Sequence, residues 1–403
     1  MSEDSSIEYS ALTPFANPDF ERGFFPAVFG APGRYVQGEG VIDEAGHYLR
    51  RLGFSSVLVL MSLRSQGAEG ARLLQSLDDA GLATQILTFG GECSFEEIDK
   101  HVAAASASKS APDGLVAIGG GKAVDAGKSI AHRLKLPCAV VPSLASNDAP
   151  CAAVSVIYSE EGVTLDAEIY DQSPVLVLMD TGVVAEAGAR YLVAGMGDAM
   201  ATWYEARACA ANPQGITTFV GRPSLAGGAV ARLCADTLFE HGLAAKAAVQ
   251  ASSVTPALEN IVEANTLLSG LGYESGGLAA AHAYAQGFTT VERVHRQYLH
   301  GEMVAIGTLA QLLLEDDEAE AAKVARFFAE VGLPVHLQQI GLSADDTEDL
   351  QSVVQGALAF PFLDNLVAST TQESLLQGLL QLDQLGRRWA TEHGDEAYRE
   401  LHA

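Results

Sequence analysis

The sequence predicts two domains of different class: an α/β dinucleotide-binding type over residues 31–185 and an all-α domain over residues 186–403, after an N-terminal extension. Three observations carry this. Short apolar runs alternate with amphipathic stretches through the first half, a rhythm that builds a parallel sheet covered by helices. Long Ala- and Leu-rich segments at helical spacing fill the second half, where strand signals stop. Between one apolar run and one amphipathic stretch stands Gly119-Gly-Gly121, a strand-to-helix turn without side chains.

Taken in order, residues 1–30 are acidic and polar. A signal peptide needs a basic start and an apolar core, so this segment reads as a flexible extension. The runs at 56–60, 84–88, 114–118, 138–141 and 174–178 read as buried strands, with helices over 65–80, 94–108 and 122–134 between them. Helices are then expected over 198–211, 224–240, 244–269, 275–287, 302–315 and 317–331, punctuated by loops such as Asn212-Pro-Gln-Gly215 and Gly332-Leu-Pro334.

Composition narrows the function. The 403 residues carry 24 Lys and Arg against 51 Asp and Glu, a formal net charge of -27. A phosphate backbone or an anionic membrane surface would be repelled, so neither nucleic acid nor membrane is an expected partner. No apolar run reaches the roughly 18 residues of a spanning helix. Five scattered cysteines with no CxxC pair fit free thiols in a reducing compartment, and a cytoplasmic location is expected.

The triple glycine places backbone N–H groups and a helix dipole where a phosphate can approach, which suits a dinucleotide pyrophosphate. The bland alternative is a tight βα turn with no ligand. Asp125 and Lys128, one turn on, either are solvated or line the cleft. After the next strand, Ser143, Ser146, Asn147 and Asp148 form a polar loop where open α/β sheets bind ligands, although Asn147-Asp-Ala-Pro150 equally suits an Asx turn. Three metal-type residues, Asp198, His282 and His300, lie far apart in the helical half. Their spacing matches no local zinc signature, and each has an ordinary alternative as cap or core residue.

In order, however, several words resemble one known group. They include Pro32-Gly-Arg-Tyr-Val-Gln-Gly38, Phe89-Gly-Gly-Glu-Cys-Ser94, Gly119-Gly-Gly-Lys122, Ala145-Ser-Asn-Asp-Ala-Pro-Cys151, Gly197-Asp-Ala199, Trp203-Tyr-Glu-Ala-Arg207, Glu274-Ser-Gly-Gly-Leu-Ala-Ala-Ala-His282 and His300-Gly-Glu302. Over about residues 31–390 the chain resembles the glycerol dehydrogenases of the iron-containing (group III) alcohol dehydrogenase superfamily, with its dehydroquinate-synthase-like fold. The resemblance implies one catalytic Zn²⁺ on Asp198, His282 and His300. It implies NAD contacts from Gly119, Gly120, Gly121, Lys122 and Ala123, from Ser143, Leu144, Ala145 and Ser146, and from Ala152, Val154 and Tyr158, with Asp148 facing the substrate. It also implies glycerol or a related vicinal diol as substrate, dihydroxyacetone as product, and homo-oligomers up to octamers.

One carboxylate and two imidazoles would leave a metal open positions, the catalytic pattern, and vicinal hydroxyls can fill them. The chain departs from its relatives after the second strand, where they carry an acid for the adenosine ribose. Here the stretch reads Leu58-Val-Leu-Met-Ser-Leu-Arg-Ser-Gln-Gly67, so the barrier to an NADP 2′-phosphate is gone and Ser62 and Arg64 stand near. Either the turn is merely exposed and NAD preference survives, or cofactor choice is relaxed towards NADP. Asn147 and Ala152 replace hydroxyl residues common in the family. Two rivals share the fold: an enzyme of the glycerol-1-phosphate dehydrogenase kind, for which Arg293 and Arg296 would supply charge, and a non-catalytic relative.

Overall fold

A computed structural model of the chain describes residues 26–107, 111–160 and 162–403. All five expected strands form, as β2 (Ser56–Ser62), β3 (Ala83–Phe89), β4 (Gly114–Gly119), β5 (Cys138–Pro142) and β8 (Leu176–Asp180). With β1 (Tyr35–Gly38) they make a six-stranded sheet of order β1-β8-β5-β4-β2-β3 in which every pairing is parallel. Both faces of the inner strands β2, β4, β5 and β8 are covered, which is why these four read as apolar runs, whereas the edge strand β3 is mostly exposed. In β2, Leu58 and Leu60 enter one core while Val57, Val59 and Met61 enter the other.

The covering helices are α1 (Ala45–Arg51), α2 (Leu63–Gln66), α3 (Glu69–Asp79), α4 (Phe95–Ser106), α5 (Gly121–Leu134) and α6 (Thr181–Glu186). A hairpin of β6 (Val154–Tyr158) and β7 (Thr164–Ile169) packs beside α5. It was not among the expected strands, because its residues are mostly half-buried and give no apolar run.

The second half is helical: α7 (Ala189–Ala211), α8 (Leu225–Gln250), α9 (Pro256–Glu263), α10 (Ser269–Gly276), α11 (Ala280–Phe288), α12 (Glu292–Gln297), α13 (His300–Leu314), α14 (Glu318–Val331), α15 (Thr347–Leu358), α16 (Gln372–His393) and α17 (Glu396–His402). Several boundaries differ from expectation: the stretch 65–80 forms two helices, α2 and α3, and α7 begins at Ala189, so Asp198 lies inside a helix and not at its start as a cap. Gly242 does not end a helix: a Cβ there would lie 2.8 Å from the Phe327 ring, so the glycine serves close packing inside α8. The break falls instead after Gln250, where Thr255 caps α9 and Pro256 opens it. The expected helix over 275–287 is interrupted by Gly277, which has φ +106°.

Of the expected N-terminal extension, residues 1–25 lie outside the described residues. Residues 26–30 are tied to the helical half: Ala27 bridges to Arg222, and Gly30 N–H donates to Ser275 Oγ at 3.1 Å. No helix among the described residues is long and apolar enough to cross a membrane.

Candidate active site

The glycine turn sits where β4 ends and α5 begins. A Cβ on Gly121 would lie 2.5 Å from Asn147 Nδ2, so a side chain there would drive Asn147 aside. Gly120 caps α5 without any side-chain hydrogen bond, leaving first-turn N–H groups for an anion. Ser143 N–H donates to Gly119 O at 2.9 Å and ties the loop after β5 to this turn. Asn147 Oδ1 accepts from Ala149 N–H at 3.3 Å, so the Asx turn forms. Lys122 is drawn to Glu92 at 2.8 Å, over the Tyr158 ring. Ala152 is fully buried against Tyr273, Leu278 and Phe362, supporting the loop from behind.

Asp125 and Lys128 are not solvated. They form a buried ion pair at 2.9 Å. Lys128 also donates to the carbonyls of Ala149, Ala152 and Val154, and Asp125 Oδ2 accepts from Val156 N–H at 3.2 Å. One buried pair thus fixes the chain from residue 149 to 156 onto α5.

Across the cleft, α7, α11 and α13 bring Asp198, His282 and His300 together, with one ligand atom from each within 4.8 Å of the others. Asp198 Oδ1 lies 3.4 Å from His282 Nε2 and 3.3 Å from His300 Nε2. Helices α7 and α13 can meet so closely because Gly197 and Gly301 flank the two ligands: a Cβ on Gly301 would collide with Ala194 O. Asp198 is fully buried, whereas the His300 side chain is 47% exposed, so the cluster opens on that side. Asp198 Oδ1 is buried with no hydrogen-bond partner, and such an atom between two imidazoles is what a cation would satisfy.

Residues 32–181 match the sequence model of the iron-containing alcohol dehydrogenases. The chain is 47% identical to a glycerol dehydrogenase of Thermotoga maritima over 81% of its own length and 88% of that protein. The chain belongs to the iron-containing alcohol dehydrogenase family. It is an oxidoreductase. It is also 40% identical to a glycolaldehyde reductase of Halobacterium salinarum, over 90% of this chain and 98% of that one. The structure of a Schizosaccharomyces pombe glycerol dehydrogenase superposes with a TM-score of 0.86 at 33% identity, covering 92% of this chain and 94% of that one.

In this family member, sequence reasoning missed the residue that orients His282. Glu205 Oε2 lies 2.6 Å from His282 Nδ1, and its Oε1 accepts from Ala279 and His282 N–H at 2.8 and 2.9 Å. A signal existed: Glu205 follows Asp198 by two helical turns and so shares its face of α7. Such a carboxylate fixes the tautomer that turns Nε2 towards a metal.

The electrostatics separate two buried acids. Burial pushes Asp198 up, but the His300 and His282 imidazoles outweigh it and hold the carboxyl below the usual range. Asp148 is pushed up, first by burial and then by the Asp198 charge. Its backbone N–H faces Asp198 Oδ2 at 3.3 Å, and its Oδ2 accepts from Ser269 O–H at 2.9 Å. The rival arginines are engaged elsewhere: Arg293 pairs with Asp349 at 2.5 Å and Arg296 with Glu292 at 2.7 Å.

Proposed function

We propose that this enzyme oxidises glycerol or a related vicinal diol, giving dihydroxyacetone from glycerol, with hydride passed to a nicotinamide dinucleotide. Asp198, His282 and His300 hold a divalent ion, zinc in this reading, and Gly119, Gly120 and Gly121 cradle the pyrophosphate. The observation that carries the reading is the buried, unpartnered Asp198 Oδ1 between His282 and His300 Nε2, beside the loop that follows β5. Relatives named glycerol dehydrogenase support the substrate class.

When bound, the ion supplies Lewis acidity at a hydroxyl oxygen and the dinucleotide supplies the hydride acceptor. The chain's own residues bind and orient. Glu205 holds His282 in the tautomer that presents Nε2. Asp148, fixed by Ser269, orients a substrate hydroxyl at the mouth of the cluster. Ser143, Leu144, Ala145 and Ser146 wall the cofactor between the glycine turn and the metal cluster, with Lys122, Ala123, Val154 and Tyr158 at its flank.

The likeness to a glycolaldehyde reductase favours a second reading, reduction of a small hydroxyaldehyde at the same site. A phosphorylated substrate is disfavoured because Arg293 and Arg296 are neutralised by acids. Initial rates with glycerol and propane-1,2-diol, and in reverse with glycolaldehyde and dihydroxyacetone phosphate, test these readings. Fastest turnover of the unphosphorylated diols supports the proposal, and preference for the phosphorylated ketone overturns it.

A further inference from the structure

The strand order contains a switch. From β2 the chain steps outward to β3, and from β4 it steps the opposite way to β5, so the crevice between the carboxyl ends of β2 and β4 is the natural ligand site of the sheet. Asp148 and the metal-type cluster lie on the β5 side of that crevice. On the dinucleotide reading above, on which this inference rests, the pyrophosphate at Gly119–Gly121 leaves the adenosine end only the β2 and β3 side.

An open groove of about 690 Å³ lies there, lined among others by Ser62, Arg64, Thr88, Gly90, Lys100 and His101, and by no Asp or Glu. The Arg64 side chain is exposed and makes no hydrogen bond or ion pair among the described residues; only its carbonyl is engaged, by Gly67 N–H at 3.1 Å. Lys100 pairs with Glu97, whose carboxylate is also taken by His101 at 2.8 Å and by the Gly90 N–H at 2.6 Å. The nearby acid is therefore saturated, while one guanidinium at the lip is not.

A ribose with free hydroxyls needs an acceptor at this strand end, whereas a phosphorylated ribose needs positive charge. We propose that this groove seats the 2′-phosphate of NADP(H) against Arg64, with Ser62 and Lys100 beside it, so that the enzyme binds NADP(H) as well as NAD(H). Ser62 Oγ accepts from Ser65 N–H at 3.1 Å, which holds the backbone that presents Arg64.

Calorimetric titration of the purified enzyme with NADH and with NADPH, without substrate, tests this. The expected Kd values lie within about tenfold of each other. Arg64→Ala should raise the ratio of NADPH to NADH Kd by about tenfold, the loss of a charge-assisted contact. Ser62→Asp, which preserves the helix cap, should raise it at least as much. NADPH binding more than about a hundredfold weaker than NADH overturns the inference, as does a ratio unmoved by Arg64→Ala. If neither dinucleotide binds, the dinucleotide reading itself fails and the inference falls with it.

Discussion

Glu205 Oε2 stands 2.6 Å from His282 Nδ1, so a fully buried carboxylate on α7 sets the orientation of an imidazole on α11. Partners of this kind typically contribute tenfold to a hundredfold in metal affinity. Glu205→Gln should weaken metal binding by about that factor, measured by competition with a chromophoric chelator. An unchanged affinity would mean that Glu205 serves only packing.

The Asp125–Lys128 pair gives a second prediction. Removing one partner strands a buried charge, so Lys128→Met should cost about 3–5 kcal/mol in urea unfolding. Asp125→Asn combined with Lys128→Met should recover part of that loss, and strict additivity of the two single changes would contradict the coupling.

Stability should also depend on pH through Glu168. Burial pushes its pKa up, but hydrogen bonds from Arg133, Ser129 and Tyr170 outweigh burial and hold it below 4.5. A depressed folded-state pKa means that the contribution is fully present above the unfolded value and is lost as pH falls through the folded one. Glu168→Gln should therefore destabilise by about 2 kcal/mol at neutral pH, and the gap should close as acid unfolding is followed below pH 4.5. A gap that stays constant into acid would refute this.

At the crossing of α7 and α13, Gly301→Ala should force the helices apart, because its methyl would meet Ala194 O. The expected cost is about 1–3 kcal/mol, together with weaker metal binding, since Asp198 and His300 flank the contact. A stable variant with intact metal affinity would argue against the crossing as drawn.

Much of this was legible in the sequence, for identifiable reasons. The four central strands, β2, β4, β5 and β8, were readable because burial on both faces makes each an apolar run. The edge strand β3 was readable from its β-branched and apolar residues, although most of it is exposed. Strand β1 was not, being four half-buried residues long. The π-helical turn at Ala264–Leu268 had no readable signal either, yet it aims Asn265 Nδ2 at Ala145 O and Leu192 O, at 2.9 and 3.0 Å. Asp198, His282 and His300 could not be joined by spacing; only the resemblance of whole words joined them, and the helical half then brings them to one point. Lys128 was readable as a residue type but not as a buried staple, because its partners are three backbone carbonyls that no side-chain pattern reports.

The central claim is that Asp198, His282 and His300 hold the ion on which diol oxidation depends. The most direct measurement strips the protein with a chelator, titrates zinc back, and follows bound metal and glycerol-dependent formation of reduced cofactor together, for the native chain and for His282→Ala. The expected result is a single tight site per chain, activity that returns in step with its occupancy, and loss of both in the variant. Full activity in metal-free protein, or tight zinc binding undisturbed by His282→Ala, would contradict the account.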